Sequence, residues 1–507
     1  MGEKNQIIKN LIFNIFNLVV SGLIGFLYTP YLIKNLGVIA YGIIPLAMVI
    51  NQYVSIFSSS LTSTLTRFYS VAYQQGNFKD ASQYLTSSFV AVIILIVFIG
   101  IAAVILIFNF NVIINVPANL LSDAKLLFIY ILISLCISLL SSFLNITLYA
   151  KNRLDYMNMI SLVRSFTKVI FVVVFFQLIE VNLRVIGIAG IVSEILVLML
   201  SLIYFIKTNA REISIRFKYF NLQFLSPIII MALWLIVHQV GDLGIYKIDL
   251  LIVNKFWSAK ETGYLGAFSD FGSYLMSLMG VITSLFGPII LIAFSNNNHE
   301  RIKQFIVEIS FLVAILSAII IGLLIGFAHP FITLWVGKEF STYYDWFILK
   351  LVSLPFYASA GVFSFVYRSW NFVKAPAITT LVLGIINISI LYILAKMSNR
   401  NIHYIEYILI VSGITTFIQT YVLGVVMMKV TYKDVKLFEY LKNTFLIILT
   451  LICIVLFCHL GSRWVTISSW TALLSMCIAI GLSSLVLIYF TILNKNHKKL
   501  IFKMVQR

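Results

Sequence analysis

Arg164 and Lys168 are the residues of this 507-residue chain best placed to do chemistry. They are four apart, so a helix carries both on one face. The stretch that holds them, 157–178, is apolar and has no other charge, with Lys168 near its middle. A charge at that depth in a membrane costs about 2.5–3.5 kcal/mol, so such residues face a cavity or a partner. Arginine suits phosphate because its planar fork donates two bonds at once. With Arg153 and Arg67 at the cytoplasmic end, and Lys247 further along the chain, the pair would attract a phosphorylated ligand. The alternative is an ion pair with Glu194 of the next apolar stretch.

A second group lies in 224–251. His238, Asp242 and Asp249 fall at about 0°, 40° and 20° on a helical wheel, with Lys247 opposite. Two carboxylates and a histidine on one face suit a proton or Na⁺, or charge compensation for cavity arginines. Gly241 and Gly244 loosen the helix there. Asp270, in the following stretch, is a further cavity candidate. Enzymatic chemistry has no comparable footing. No G-x-x-x-x-G-K-[ST] loop is present, and His299-Glu300 lacks the second histidine of a zinc protease motif. Cys136, Cys453, Cys458 and Cys477 all lie in apolar runs and read as small buried hydrophobes, with no metal site or disulfide framework. No cofactor is expected beyond coupling to H⁺, Na⁺ or the membrane potential.

The elements that must position these residues are about fourteen apolar stretches, from 10–33 to 467–493. Each has the ~20 residues needed to cross a ~30 Å hydrocarbon core. Hydrophobic residues make up 61% and charged residues 11%, with a mean hydropathy of +1.02, which excludes an aqueous globular fold. The fold expected is an all-α integral membrane protein. The first stretch lacks a cleavage signal and reads as a retained helix. The net charge of +18 would suggest nucleic acid in a soluble protein. Here 23 of the 36 Lys and Arg residues fall in alternate loops. The positive-inside rule then explains the charge and places both termini in the cytoplasm, with no nucleic-acid partner.

The chain also repeats. Tyr31-Leu-Ile-Lys-Asn35 followed by Ala40-Tyr41-Gly42 is matched by Leu250-Leu-Ile-Val-Asn254 followed by Gly263-Tyr264-Leu265-Gly266. Leu148-Tyr-Ala-Lys-Asn-Arg153 is matched by Val366-Tyr-Arg-Ser-Trp-Asn371. The order predicts two parallel six-helix lobes, 1–206 and 224–430, joined by a cytoplasmic linker at 207–223. Residues 431–507 add two helices and a basic tail. Transporters of this build place substrate between the halves and rock them.

The run Thr29-Pro-Tyr-Leu-Ile-Lys-Asn-Leu-Gly37, then Ala40-Tyr41-Gly42 and Leu61–Arg67, resembles the opening of bacterial polysaccharide flippases. These are the O-antigen and capsule exporters (Wzx type) of the multidrug/oligosaccharidyl-lipid/polysaccharide (MOP) exporter superfamily. The resemblance implies a secondary transporter of the bacterial inner membrane, not an enzyme. It would move undecaprenyl-diphosphate-linked oligosaccharides to the outer leaflet by alternating access, with a cationic cavity between the lobes binding the diphosphate. A glycan polymerase and glycosyltransferases of the same pathway would be its partners. The charged first span of lipid II flippases is absent, since 10–33 carries no charge. Two rivals are a multidrug–cation antiporter of the same superfamily, which should have an acidic cavity, and a polytopic glycan polymerase, which should have a large outer loop.

Overall fold

A computed structural model describes residues 3–209, 213, 215–284, 299–369, 374–431, 437–494 and 497–498. No strand occurs among them. The first half of the chain forms α1 (Glu3–Gln74), α2 (Phe78–Phe108), a single-turn α3 (Phe110–Ile113), α4 (Leu121–Ala150), α5 (Leu154–Leu178), α6 (Leu183–Asn209), α7 (Leu222–Tyr246), α8 (Ile248–Phe256) and α9 (Ala259–Ser284). The second half forms α10 (His299–Gly326), α11 (Ala328–Trp335), α12 (Lys338–Ser341), α13 (Tyr344–Leu351), α14 (Leu354–Ser369), α15 (Lys374–Met397), α16 (His403–Phe417), α17 (Leu423–Thr431), α18 (Leu437–Trp464) and α19 (Trp470–Thr491). A π-helical turn, Ile418–Val422, joins α16 to α17.

Twelve described helices are long and apolar enough to cross a membrane. The apolar part of α1, Ile12–Gln74, is 63 residues long. At 1.5 Å per residue it would measure about 95 Å, three hydrocarbon thicknesses. It therefore holds two crossings, and Gly37 separates them. That residue sits at φ 78, ψ 164, a conformation open to glycine and strained for any other residue. α9 carries the remaining expected crossing, whose continuation through 285–298 lies outside the described residues. The chain is an all-α membrane protein.

The chain forms two compact units, residues 1–266 with 380–384, and residues 267–379 with 385–507. In the first, the core brings together Leu61, Leu65 and Tyr69 of α1, Ala81, Leu85 and Val92 of α2, Leu139 and Phe143 of α4, and Ile228 of α7. Lipid supplies no hydrophobic drive between helices, so close approach at small residues sets the packing. The repeat-related segments meet in this way. A Cβ at Gly42 would collide with the Ala259 carbonyl and lie 2.8 Å from Gly263 N. A Cβ at Gly263 would lie 2.5 Å from Val38 O, and one at Gly266 would lie 2.5 Å from Pro45 Cγ. The matching tyrosines, Tyr41 and Tyr264, are each 1% exposed. α7 crosses α15 equally closely, with Gly241 against Thr380 and Leu381 and Gly384 against the Gly241 carbonyl. In the other repeat match, residues 370 and 371 lie outside the described residues.

In the second unit, α10 is the central helix. Of its most apolar window 72% is buried, against 17% for α19, which therefore faces lipid. Gly322 and Gly326 of α10 seat Ile454 and Cys458 of α18. Phe271, Phe331, Trp335 and Phe347 interlock beside it, at centroid distances of 5.1–5.9 Å. All four cysteines are free thiols.

Candidate functional site

Four helices of the first unit enclose a cavity of about 160 Å³. α1 contributes Met48 and Asn51, α4 contributes Ser134 and Ser138, α5 contributes Arg164 and Lys168, and α6 contributes Ser193 and Glu194. Local packing explains why α6 reaches this position. Gly187 accepts the Tyr130 ring, whose Cβ a Gly187 methyl would meet at 2.6 Å. Gly190 leaves room for the Ser134 hydroxyl. At the depth of Arg164, Ser193 Oγ donates to the Arg164 carbonyl at 3.0 Å and lies 2.7 Å from Thr167 Oγ1. These bonds fix α5 against α6 beneath the charges.

Arg164 Nε lies 2.8 Å from Glu194 Oε1. The distance is that of a hydrogen bond, but the Nε–H is not aimed at the oxygen and makes no aligned bond. Glu194 Oε2 and Asn51 Oδ1 are buried and have no hydrogen-bond partner among the described residues. Lys168 lies within electrostatic reach of the same carboxylate. The cavity thus holds two cations and one anion, with acceptor capacity left open. Ion pairing and cavity placement, alternatives in the sequence, occur together here.

The other candidate residues do not line this cavity, and Asp270 belongs to the second unit. Arg153 binds Asp155 through Nε and Nη2, both at 3.1 Å, and stacks on Tyr156 with Cζ 3.7 Å from the ring centre. Arg67 is exposed and contacts Met231 Sδ at 3.5 Å. His238 Nδ1 pairs with Asp242 at 2.9 Å, one turn along α7. The helix then breaks at Lys247 (φ −126, ψ −12), so Asp249 belongs to α8. Asp249 lies beyond that break and is 0% exposed, whereas His238 and Asp242 are 37% and 29% exposed. Lys247, at the break, and Asp270, in α9, are both half-buried.

Asp155 carries a signal that spacing does not reveal. Its side chain is 2% exposed and receives Lys9 Nζ at 2.9 Å, Arg153 at 3.1 Å and Gln6 Nε2 at 3.1 Å. Its backbone N–H donates to Asn10 Oδ1, and Asn10 Nδ2 donates to Asn152 Oδ1. Asn152, at φ 55, makes the turn that allows this. The start of α1 is thereby fastened to the start of α5. Asp155→Asn leaves two cations facing a neutral amide. We expect a loss of about 1–3 kcal/mol, discounted for the partial exposure of Lys9 and Arg153. Thermal unfolding of the detergent-solubilised protein measures it, and an unchanged midpoint would show the cluster to be idle.

A second polar tie lies at the far end of α8. Asn254, 1% exposed, accepts from Asn115 N at 2.9 Å and donates to Asn115 O at 3.1 Å.

The fold is MurJ-like and MATE-like. Among solved structures, the chain resembles "Lipid II flippase MurJ, inward closed conformation", with a TM-score of 0.69 and 16% identity over 94% of this chain and 98% of that one. It also resembles the inward-facing conformation of a multidrug resistance MATE family transporter of the MOP superfamily. There the TM-score is 0.65 and the identity 11%, covering 82% and 96% of the two chains. Among curated proteins it is similar to the uncharacterized membrane protein EpsK of Bacillus subtilis (strain 168), at 28% identity over 367 residues, 71% of each chain. No protein-family profile matches the chain.

Proposed function

We propose that this protein is a flippase that moves polyprenyl-diphosphate-linked oligosaccharide from the cytoplasmic to the outer leaflet. The observation that carries this reading is the cavity with Arg164 and Lys168 inside a membrane helix bundle. The cavity is smaller than the ~300–1,000 Å³ of drug-sized ligand pockets. It suits a diphosphate group better than a sugar chain, and the polyprenyl tail stays in lipid. The headgroup is carried in this cavity of the first unit while the protein alternates between inward and outward access, and both termini stay in the cytoplasm. A potential that is negative inside favours the outward step. Two negative charges moved outward release about 4.6 kcal/mol per 100 mV. The likeness in fold to a lipid II flippase supports the same class of cargo, an undecaprenyl-linked glycan such as O-antigen or capsule.

The MATE-like fold and the His238–Asp242 pair favour a second reading, a cation-coupled drug antiporter. Deleting the gene in its host separates the two. Export of lipid-linked glycan predicts that complete repeat units accumulate on polyprenyl carriers while surface glycan is lost. A change in drug sensitivity with no such accumulation would establish the antiporter instead.

A further inference from the structure

We infer that Glu194 is an internal stand-in for the substrate's diphosphate, exchanged for it and protonated as the exchange occurs. The inference rests on the flippase reading of the Arg164–Lys168 cavity and adds how that site is emptied and reset.

An empty transport site that holds two cations at membrane depth is costly. Glu194 relieves this cost by lying 2.8 Å from Arg164 and within reach of Lys168. The contact leaves acceptor capacity open. The Nε–H is not aligned on Oε1, and Oε2 has no partner among the described residues. Among the described residues no other charged side chain lines the cavity: α1 presents Met48 and Asn51, and α4 presents Ser134 and Ser138.

Charge balance completes the argument. Arg164, Lys168 and Glu194 together carry one net positive charge. A diphosphate bearing two negative charges would turn that into one net negative charge. A proton taken from water onto a Glu194 carboxylate oxygen makes the occupied site neutral. The physical cause is local. Once the diphosphate occupies the guanidinium and ammonium, Glu194 loses its opposite charges and gains a like one, and both changes favour its neutral form. When the lipid leaves, the proton returns to water and the carboxylate returns to Arg164. Substrate and proton are thus bound together, so one net negative charge moves outward with each lipid and the potential contributes half of what it would for the diphosphate alone.

The test is calorimetry on the full-length protein in lipid nanodiscs, with farnesyl diphosphate as probe and inorganic pyrophosphate as the tail-free comparison. Buffers of different ionisation enthalpy report the protons taken up. Glu194→Gln should bind farnesyl diphosphate about tenfold tighter or more, since close charge pairs couple by at least ~1.4 kcal/mol. It should also take up about one proton fewer than the wild type. In an Arg164→Gln background most of that gain should vanish, because there is no arginine left to compete for. Should Glu194→Gln fail to fold, Glu194→Asp withdraws the carboxylate by one methylene and should tighten binding in the same direction. Equal or weaker binding by a folded Glu194 variant, or unchanged proton uptake, would overturn the inference and leave Glu194 a structural partner of Arg164. If Arg164→Gln and Lys168→Gln bind the probe as the wild type does, the flippase site itself is wrong, and the inference falls with it. Pyrophosphate binding as tightly as the farnesyl compound, with the same response to Glu194→Gln, would support the exchange and assign the recognition to phosphate rather than to lipid.

Discussion

Glutamate at both Arg164 and Lys168 abolishes export of the lipid-linked glycan while the chain remains in the membrane. The wild-type cavity holds two cations around one carboxylate. The double variant holds three carboxylates and repels the diphosphate that the native site attracts. Close charge pairs couple by about 1.5–7 kcal/mol, and each 1.4 kcal/mol is tenfold, so the expected loss is ~100-fold or greater. Surface glycan measured against the amount of protein in the membrane fraction reads the effect. Arg164→Lys keeps the charge and loses the planar fork, so it should fall between the two. Full surface glycan in the double variant would remove this cavity from the transport path.

The second large effect is steric. Gly42→Val drives a branched side chain into the Ala259 carbonyl and the Gly263 amide. Side chains yield to overpacking at a cost of about 1–3 kcal/mol. Backbone atoms of a packed helix do not swing aside, so the loss here should be about 3 kcal/mol or more. Gly22 provides the control. Nothing lies within 4 Å of a Cβ built there, so Gly22→Ala should be neutral or stabilise the helix by up to ~1 kcal/mol. Thermal unfolding in detergent, with membrane yield alongside, compares the two variants. A Gly42→Val protein as stable as Gly22→Ala would show that this crossing is looser than its geometry implies.

Much of the fold is legible in the sequence because lipid enforces it. A span must be ~20 apolar residues long and must close its own hydrogen bonds, so composition alone locates it. Backbone breaks are less visible. Gly241 and Gly244 signal a loosened helix, but not that α7 ends at Lys247 and that Asp249 begins a separate α8. Gly37 differs, because a glycine between two apolar runs in a 72-residue helix marks where the chain can bend. The site was legible through its charges. Arg164, Lys168 and Glu194 are conspicuous in apolar surroundings. Asn51, Ser134 and Ser138 are not, since isolated serines and amides are common in spans and only the packing of α1 and α4 aims them at one cavity. Asp155 was hidden for a different reason. It sits beside a short loop that reads as solvent-exposed, and only the return of α1 over that loop buries it.

The tie between Asn254 and Asn115 has a consequence for how the chain can vary. The Asn254 amide grips the N–H and the carbonyl of residue 115, two groups that nearly every residue type shares. The loop is recognised as main chain. Residue 115 is therefore free to drift among all types that keep an N–H, with proline alone refused. Residue 254 has no such latitude, because only an amide side chain of that length offers a donor and an acceptor at once. The tie therefore constrains the side chain on one side of the bond and only the main chain on the other.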